Sequence, residues 1–396
     1  MLLARLDALD EQRLQELCVE HCPESGTLDF KRGLPSTSDD EGKAEFLKDV
    51  CAFANSDGGD LVYGIADKNG GAEKVHPITS EAADAAKRRL GQVLDAKVEP
   101  RIQGLQFHPV EVTGGYVLIL RVPASFDGPH RHQHKEFQRF VMRNGTHTSD
   151  LTYDQLRAAF DRTATLAERA RQFVNDRTES ILAGKTWRPM LKGPLCLAHL
   201  VPIAAMAGRT TIDVGALYSN SYTDFIFSDW GSASRTLNLD GLVIHPPESR
   251  KEPQTAYTQL FRSGAFEAVR YGGRLFSDEH QRVIPSTTIT AFYREAAMMF
   301  LAAAKRFEYS GPAAFRCALL QIDGYEFGVG EQFRNFQKAY ADRPNLVLPD
   351  VWIEDVAEAQ DVDAIVRPMM NILWQAFDVE RCLEYDKDGT WRARRW

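Results

Sequence analysis

Nowhere in the 396 residues does an apolar run reach the ~18–20 residues of a bilayer-spanning helix, so no membrane partner is expected. Basic charge is also short. Against 47 Lys and Arg stand 55 Asp and Glu, a net charge of −8, which excludes a strongly basic nucleic-acid-binding domain. Any phosphate contact must then come from a local patch. Cysteine is sparse and scattered, at 18, 22, 51, 196, 317 and 382, which speaks against a disulfide framework. Cys18 and Cys22, four apart beside His21, leave open a zinc pair or plain thiols. HExxH, GxSxG, repeats and low-complexity tracts are missing. Gly184-Lys185-Thr186 ends like a phosphate-binding loop, but Glu179 stands where its first glycine belongs. Gly328-Val329-Gly330 is a lone GxG. The opening MLLARLDALDEQRLQEL mixes charges among its leucines and does not read as a secretory signal, so the expected location is the cytoplasm.

What is present alternates between helical and strand periods. Leucines 2, 6, 9, 14 and 17 make an amphipathic opening helix. Leu28 to Arg32 reads as a short strand, and Lys43 to Ser56 as a helix with Phe46, Val50 and Phe53 on one stripe. Asp57-Gly58-Gly59 is a tight turn, and DLVYGIA a buried strand ending at Asp67. A helix over 81–96 and strands over 102–112, 116–122 and 137–143 follow. Mixed elements with several hairpins predict an α+β fold rather than a doubly wound sheet. Length predicts two domains. The boundaries expected are a domain over 1–150, a helical connector over 151–185 and a second α+β domain over 186–396. GKTWRPMLKGP, residues 184–194, is the best linker. Beyond it, 195–203, 237–245 and 315–322 read as strands, and 290–307 and 362–377 as helices. Tyr222-Thr223-Asp224 and Asn238 to Gly241 are polar clusters that turn chemistry explains. Trp187, Trp230, Trp352 and Trp374 read as core residues.

The informative stretch is ESGTLDFKR followed by DVCAFANSDGGDLVYGIADKNG. Glu24-Ser25, Asp29-Phe30-Lys31, Ala52 to Asn55, Gly58-Gly59, Gly64-Ile65 and Asp67, with Arg121-Val122-Pro123, Pro129-His130 and Arg143-Asn144-Gly145, resemble the Schlafen AlbA-like domain family over roughly residues 20–150. In its ribonuclease members three carboxylates form a metal-dependent RNA-cleaving site. The resemblance places these at Glu24, Asp29 and Asp67, with Mg²⁺ or Mn²⁺ as cofactor. Asp29 departs from the family's usual glutamate. Other members are nucleotide-binding or regulatory, so ATP is a cofactor under that alternative.

Elementary chemistry supports part of this. Hard cations take carboxylate oxygens and keep water positions open. Strand alternation puts Asp29 and Lys31 on one face, where Lys31 can stabilise developing negative charge. Asp67 by itself also suits a turn. Asn55 with Gly58 and Gly59 fits a helix stop, or else a phosphate-cradling turn. The densest basic segment is 121–150. Within and beside it, Arg32, His130, Arg131, His132, Lys135, Arg139 and Arg143 are the candidate nucleic-acid contacts. His130, His132 and His134 alternate, leaving a metal site, a phosphate-contacting loop or a solvated loop open.

Two functions are therefore expected in competition. One is a divalent-metal-dependent ribonuclease acting on structured, tRNA-like RNA, with an antiviral or stress role implied by the resemblance. The other is a non-catalytic regulator binding a nucleotide or nucleic acid, with a ligand-sensing or dimerising C-terminal domain. A homodimer or larger closed oligomer is expected because only one such domain is detected in the chain. The faces over 296–304 and 365–377 are its possible contact surfaces.

Overall fold

A computed structural model describes the chain except residues 1, 3–5, 37, 209–211, 220–224, 248–252, 274–281, 330–338 and 393–396. The Tyr222-Thr223-Asp224 cluster and Gly330 lie outside the described residues. The architecture is α+β throughout, in two units, Met1–Thr165 and Leu166–Trp396.

In the first unit the chain runs α1 (Glu11–Val19), β1 (Leu28–Lys31), α2 (Asp40–Ala54), β2 (Gly59–Tyr63), β3 (Ile65–Lys68), β4 (Gly71–Val75) and α3 (Ala83–Lys97). It continues through β5 (Val98–Glu99), β6 (Gln106–Val112), β7 (Gly115–Val122), β8 (Arg131–His134), β9 (Phe137–Asn144) and β10 (His147–Asp150) into the long α4 (Tyr153–Leu182). The central sheet has the order β1-β2-β7-β6, and a second runs β10-β9-β8-β5. Alternation decides which side chain enters which core. Leu61, Tyr63, Leu118 and Leu120 join Phe46, Val50 and Phe53 of α2 on one face, while Val62, Val117 and Ile119 join Leu6, Leu9 and Leu14 on the other. The N-terminal stretch is anchored by a buried pair: Asp60 accepts from Arg121 Nε at 2.9 Å and from the Leu2 amide at 2.6 Å.

The expected strand ending at Asp67 is broken in two. Gly64 takes φ +102°, and a Cβ there would sit 3.2 Å from Val117 Cγ2. β2 therefore stays in the central sheet beside β1, whereas β3 leaves it to form a hairpin with β4 around Asn69-Gly70.

The second unit contains β11 (Leu195–Pro202), α5 (Ile203–Met206), α6 (Val214–Ser219), β12 (Ser234–Leu237), β13 (Gly241–His245), β14 (Ala256–Phe261), β15 (Phe266–Tyr271), β16 (Val283–Pro285), α7 (Ser286–Arg306), β17 (Ala313–Leu320), β18 (Glu326–Gly328), β19 (Leu346–Val347), β20 (Val351–Ile353) and α8 (Val362–Gln375). Its sheet has the order β12-β13-β14-β15-β11-β17-β19, with β20 also on β17. The strand expected over 237–245 is a hairpin, turned where Asn238 Oδ1 accepts from the Gly241 amide at 2.7 Å.

Residues 184–194 are not a free linker. Trp187 packs at a tilt on His245, ring centroids 4.5 Å apart, and meets Tyr257, and the Leu191 amide donates to the Gln254 carbonyl at 2.9 Å. An indole in that segment is better buried than left in water. The division of the chain instead falls within α4, between Thr165 and Leu166. The face over 296–304 is core, since Ala296, Phe300, Ala303 and Ala304 are fully buried. Most of the 365–377 face is buried too, through Val366, Met370, Leu373, Trp374 and Phe377, with Ile372 left exposed. Trp374 is core, whereas Trp352 is 38% exposed beneath Arg171.

Candidate functional site

β1 is the spine of the site. Parallel pairing with β2 sets Asp29 opposite Leu61, and the two-residue repeat puts Asp29 and Lys31 on one face. Lys31 Nζ lies 3.4 Å from Asp29 Oδ1, 3.3 Å from Glu45 Oε1 and 3.2 Å from Asp49 Oδ2. Glu45 and Asp49 come from α2, four residues apart and so on one helix face. Burial alone would lower the Lys31 ammonium, but Asp49, Asp29 and Glu45 outweigh it and raise its pKa. Asp49 is pushed up by its own burial and by Asp29, against the pull of Lys31.

Arg143 completes the cluster from β9. Its Nη1 donates to Asp29 Oδ2 at 2.9 Å, and both side chains are nearly solvent-free. The guanidinium lies 4.7 Å above the Phe53 ring, and its backbone amide donates to Ser56 Oγ at 2.8 Å. Asp29 is thus held between two cations.

Glu24 reaches the same end of β1 from the preceding loop. Its amide donates to the Gly70 carbonyl at the tip of the β3–β4 hairpin, and its Oε1 accepts from the Phe30 amide at 3.1 Å. Burial raises its pKa, with Asp29 and Asp67 adding to the shift against the Phe30 amide. Both of the other expected acids act on Glu24, and Asp67 comes from β3, which pairs with β4 and not with β1.

As metal ligands the three do not fit as they stand. Among the described residues no group of three His, Cys, Asp or Glu side chains is placed to hold a metal ion, and that includes Cys18, His21 and Cys22. The carboxylate at the centre, Asp29, already carries Lys31 on one oxygen and Arg143 on the other.

The basic segment is largely consumed by the fold. Arg131 pairs with Glu99 and Arg139 with Asp150. Arg143 is buried, so its expected phosphate contact is corrected to an internal ion pair with Asp29. His130 is fully buried, with Nδ1 on the Pro100 carbonyl and Nε2 on Ser125 Oγ, which corrects its reading as a loop contact. His132 is buried as well, its pKa lowered by burial and then by Arg139 and His134. The Asn55 amide donates to the carbonyls of His130 and Val141 at 2.8 Å, while its Oδ1 accepts from the His130 amide at 2.7 Å. Asn55 is therefore a staple and has nothing left for a phosphate. Gly58, at φ +72°, packs against the backbone of 122–124, and Gly59 against Phe53. Arg32 is exposed, with Nη2 3.2 Å from His76 Nε2.

A different basic surface is assembled by the tertiary structure. An open groove of about 570 Å³ between α2, α3 and the β8–β9 turn is lined by Lys43, Arg89, Lys97, His134 and Lys135, with Asp40 the acid on its wall. Lys43 pairs with Asp40 and Arg89 with Glu81, whereas Lys97 and Lys135 have no carboxylate partner among the described residues. Leu47 and Val93 floor it. Of this set the sequence marks only Lys135 and its neighbour His134; Lys43, Arg89 and Lys97 lie on two helices that no local motif connects. Asp49 and Glu45 do leave a signal. Like charges at i,i+4 repel, and that spacing calls for a cation from elsewhere in the fold.

The geometry defines a class first: an α+β layer domain with a lysine-bearing acid cluster at one sheet edge and a separate basic groove. Comparison with known proteins names the family. Residues 24–152 match the Schlafen, AlbA_2 family model. Among curated proteins none matches this chain. Among solved structures it is similar to the DIP2311 protein from Corynebacterium diphtheriae, at 22% identity and TM-score 0.24, covering 32% of this chain and 22% of that one. It is also similar to the N-terminal domain of a putative ATP-dependent DNA helicase RecG-related protein from Nitrosomonas europaea, at 20% identity and TM-score 0.26, covering 33% of this chain and 84% of that one.

Proposed function

We propose that this chain is a nucleic-acid-binding protein whose AlbA_2 domain holds the phosphate backbone in the groove between α2, α3 and the β8–β9 turn. The observation that carries this reading is the groove itself. Four Lys or Arg side chains face one Asp on its walls, in a stretch of 150 residues whose net charge is −6 (18 Lys and Arg, 24 Asp and Glu). Lys97 and Lys135, with no carboxylate partner among the described residues, can release counterions from a polyanion without first breaking an ion pair there. The chain acts in the cytoplasm as a homodimer, and the C-terminal unit supplies regulation or pairing. The test is binding of total tRNA and of a DNA duplex across a salt series. The triple variant Lys43→Ala, Lys97→Ala and Lys135→Ala should lower the slope of log K against log salt by about two to three. An unchanged slope would reject the groove.

A metal-dependent ribonuclease acting on structured, tRNA-like RNA is the second reading, favoured by the effect of Asp29 and Asp67 on Glu24, and it requires these acids to rearrange around the ion. Its measure is cleavage of total tRNA with Mg²⁺ or Mn²⁺. On that reading Asp67→Asn abolishes cleavage while RNA affinity holds or rises.

A further inference from the structure

The acid cluster at β1 is compensated from within. Lysine presents three N–H donors, and Lys31 has three carboxylate neighbours from three residues, all at 3.2–3.4 Å. Glu45 meets it as a hydrogen-bonded ion pair, Asp29 and Asp49 as close ion pairs. Asp29 and Asp49 are nearly solvent-free, with side chains 8% and 4% exposed, whereas Lys31 keeps 27%. The arrangement has the plan of a small cation site, three carboxylates around one positive centre, except that the centre is covalently tethered.

We infer that Lys31 is the resident cation of this cluster, a fixed counter-ion occupying the point among Asp29, Glu45 and Asp49 that a divalent ion would otherwise take. A divalent ion placed there would meet an ammonium at contact distance, a repulsion that the buried setting strengthens. The ammonium's pKa is raised, so it does not escape by losing its proton at neutral pH. Arg143 blocks the other Asp29 oxygen. This inference does not depend on the basic groove, and it concerns only the point among Asp29, Glu45 and Asp49.

Removing the lysine should convert the cage. Three carboxylates would be left facing a vacated point, each about 1 Å farther out than the ~2.1–2.6 Å of a metal–oxygen bond, a distance side-chain rotation covers. The experiment uses the full chain and Mn²⁺ alone, followed by electron paramagnetic resonance of the free ion. Wild type should leave the Mn²⁺ signal unchanged at stoichiometric concentration. Lys31→Ala should bind one ion, and Lys31→Ala with Asp49→Asn should lose it. Lys31→Met, which keeps the stem without the charge, guards against a packing defect, and folding of either variant only when Mn²⁺ is supplied counts in favour. Stoichiometric Mn²⁺ binding by wild type that Asp49→Asn abolishes would overturn the inference. So would a folded Lys31→Met or Lys31→Ala that binds none. Failure of RNA binding in the groove variant leaves these outcomes untouched, so the two readings fail separately.

Discussion

Arg143 shows how one residue's role can reverse between sequence and fold. Beside Asn144-Gly145 it looks like an exposed arginine at a hairpin, yet β9 turns it inward over Phe53 and onto Asp29. Truncating one partner of a buried pair leaves the other charge uncompensated. Arg143→Ala should therefore destabilise the N-terminal unit by about 3 kcal/mol. Adding Asp29→Asn should recover part of that loss, because the stranded charge is gone. Urea denaturation of both variants checks this, and equal loss in single and double variants would mean that packing on Phe53 matters more than the charge. Glu24 predicts the opposite sign. Its pKa is raised by burial and by neighbouring acids, so the folded state holds its proton more tightly than the unfolded state. Its contribution to stability is full at low pH and declines as pH rises through its folded pKa. Glu24→Gln should accordingly raise the melting temperature at pH 7 and leave it unchanged at low pH.

At the scale of elements, α4 is fastened to the sheet of the second unit in part by a polar network around Glu267. Arg177 donates to both Glu267 oxygens at 2.8 Å, His199 Nε2 lies 3.0 Å from Oε2, and the Tyr257 hydroxyl donates to Oε1 at 2.9 Å. Burial would raise the Glu267 pKa, but the bonds from Arg177 and His199 overcome it and hold the carboxyl at about 2. A depressed carboxyl stabilises the fold above its unfolded pKa, near 4.5, and loses that contribution as pH falls toward 2. The C-terminal unit should lose roughly 3 kcal/mol across that window. Glu267→Gln should flatten the dependence, as thermal melts at stepped pH would reveal. Arg177→Ala, which strands a buried carboxylate, should cost about 3–5 kcal/mol at neutral pH.

At the scale of the whole molecule, the groove of about 570 Å³ spans fewer phosphates than a structured RNA presents. A twofold pair would supply a second groove, and twofold homodimers are the commonest oligomers. Light scattering of RNA-binding protein at micromolar concentration should therefore give twice 44.5 kDa, and a monomer mass would reject the pairing.

Local signals were enough for part of this. Periodicity and turn residues marked α2, α3, β7, β9, α7 and α8, because helix and strand repeats show within a dozen residues. The motif around Glu24, Asp29 and Lys31 was legible for the same reason: a few residues of loop and strand carry it. The break at Gly64 was not, since a glycine in an apolar run reads as strand until the close approach of Val117 is known. Nor was the state of the charges. Which arginines meet water, which acids surround Lys31, and which lysines share a groove depend on residues 14 to 114 positions apart, and only packing brings those together. By itself the sequence determined an α+β chain with an acid–lysine strand; the tertiary structure decided that Asp29 is already paired and that the basic surface lies on α2 and α3.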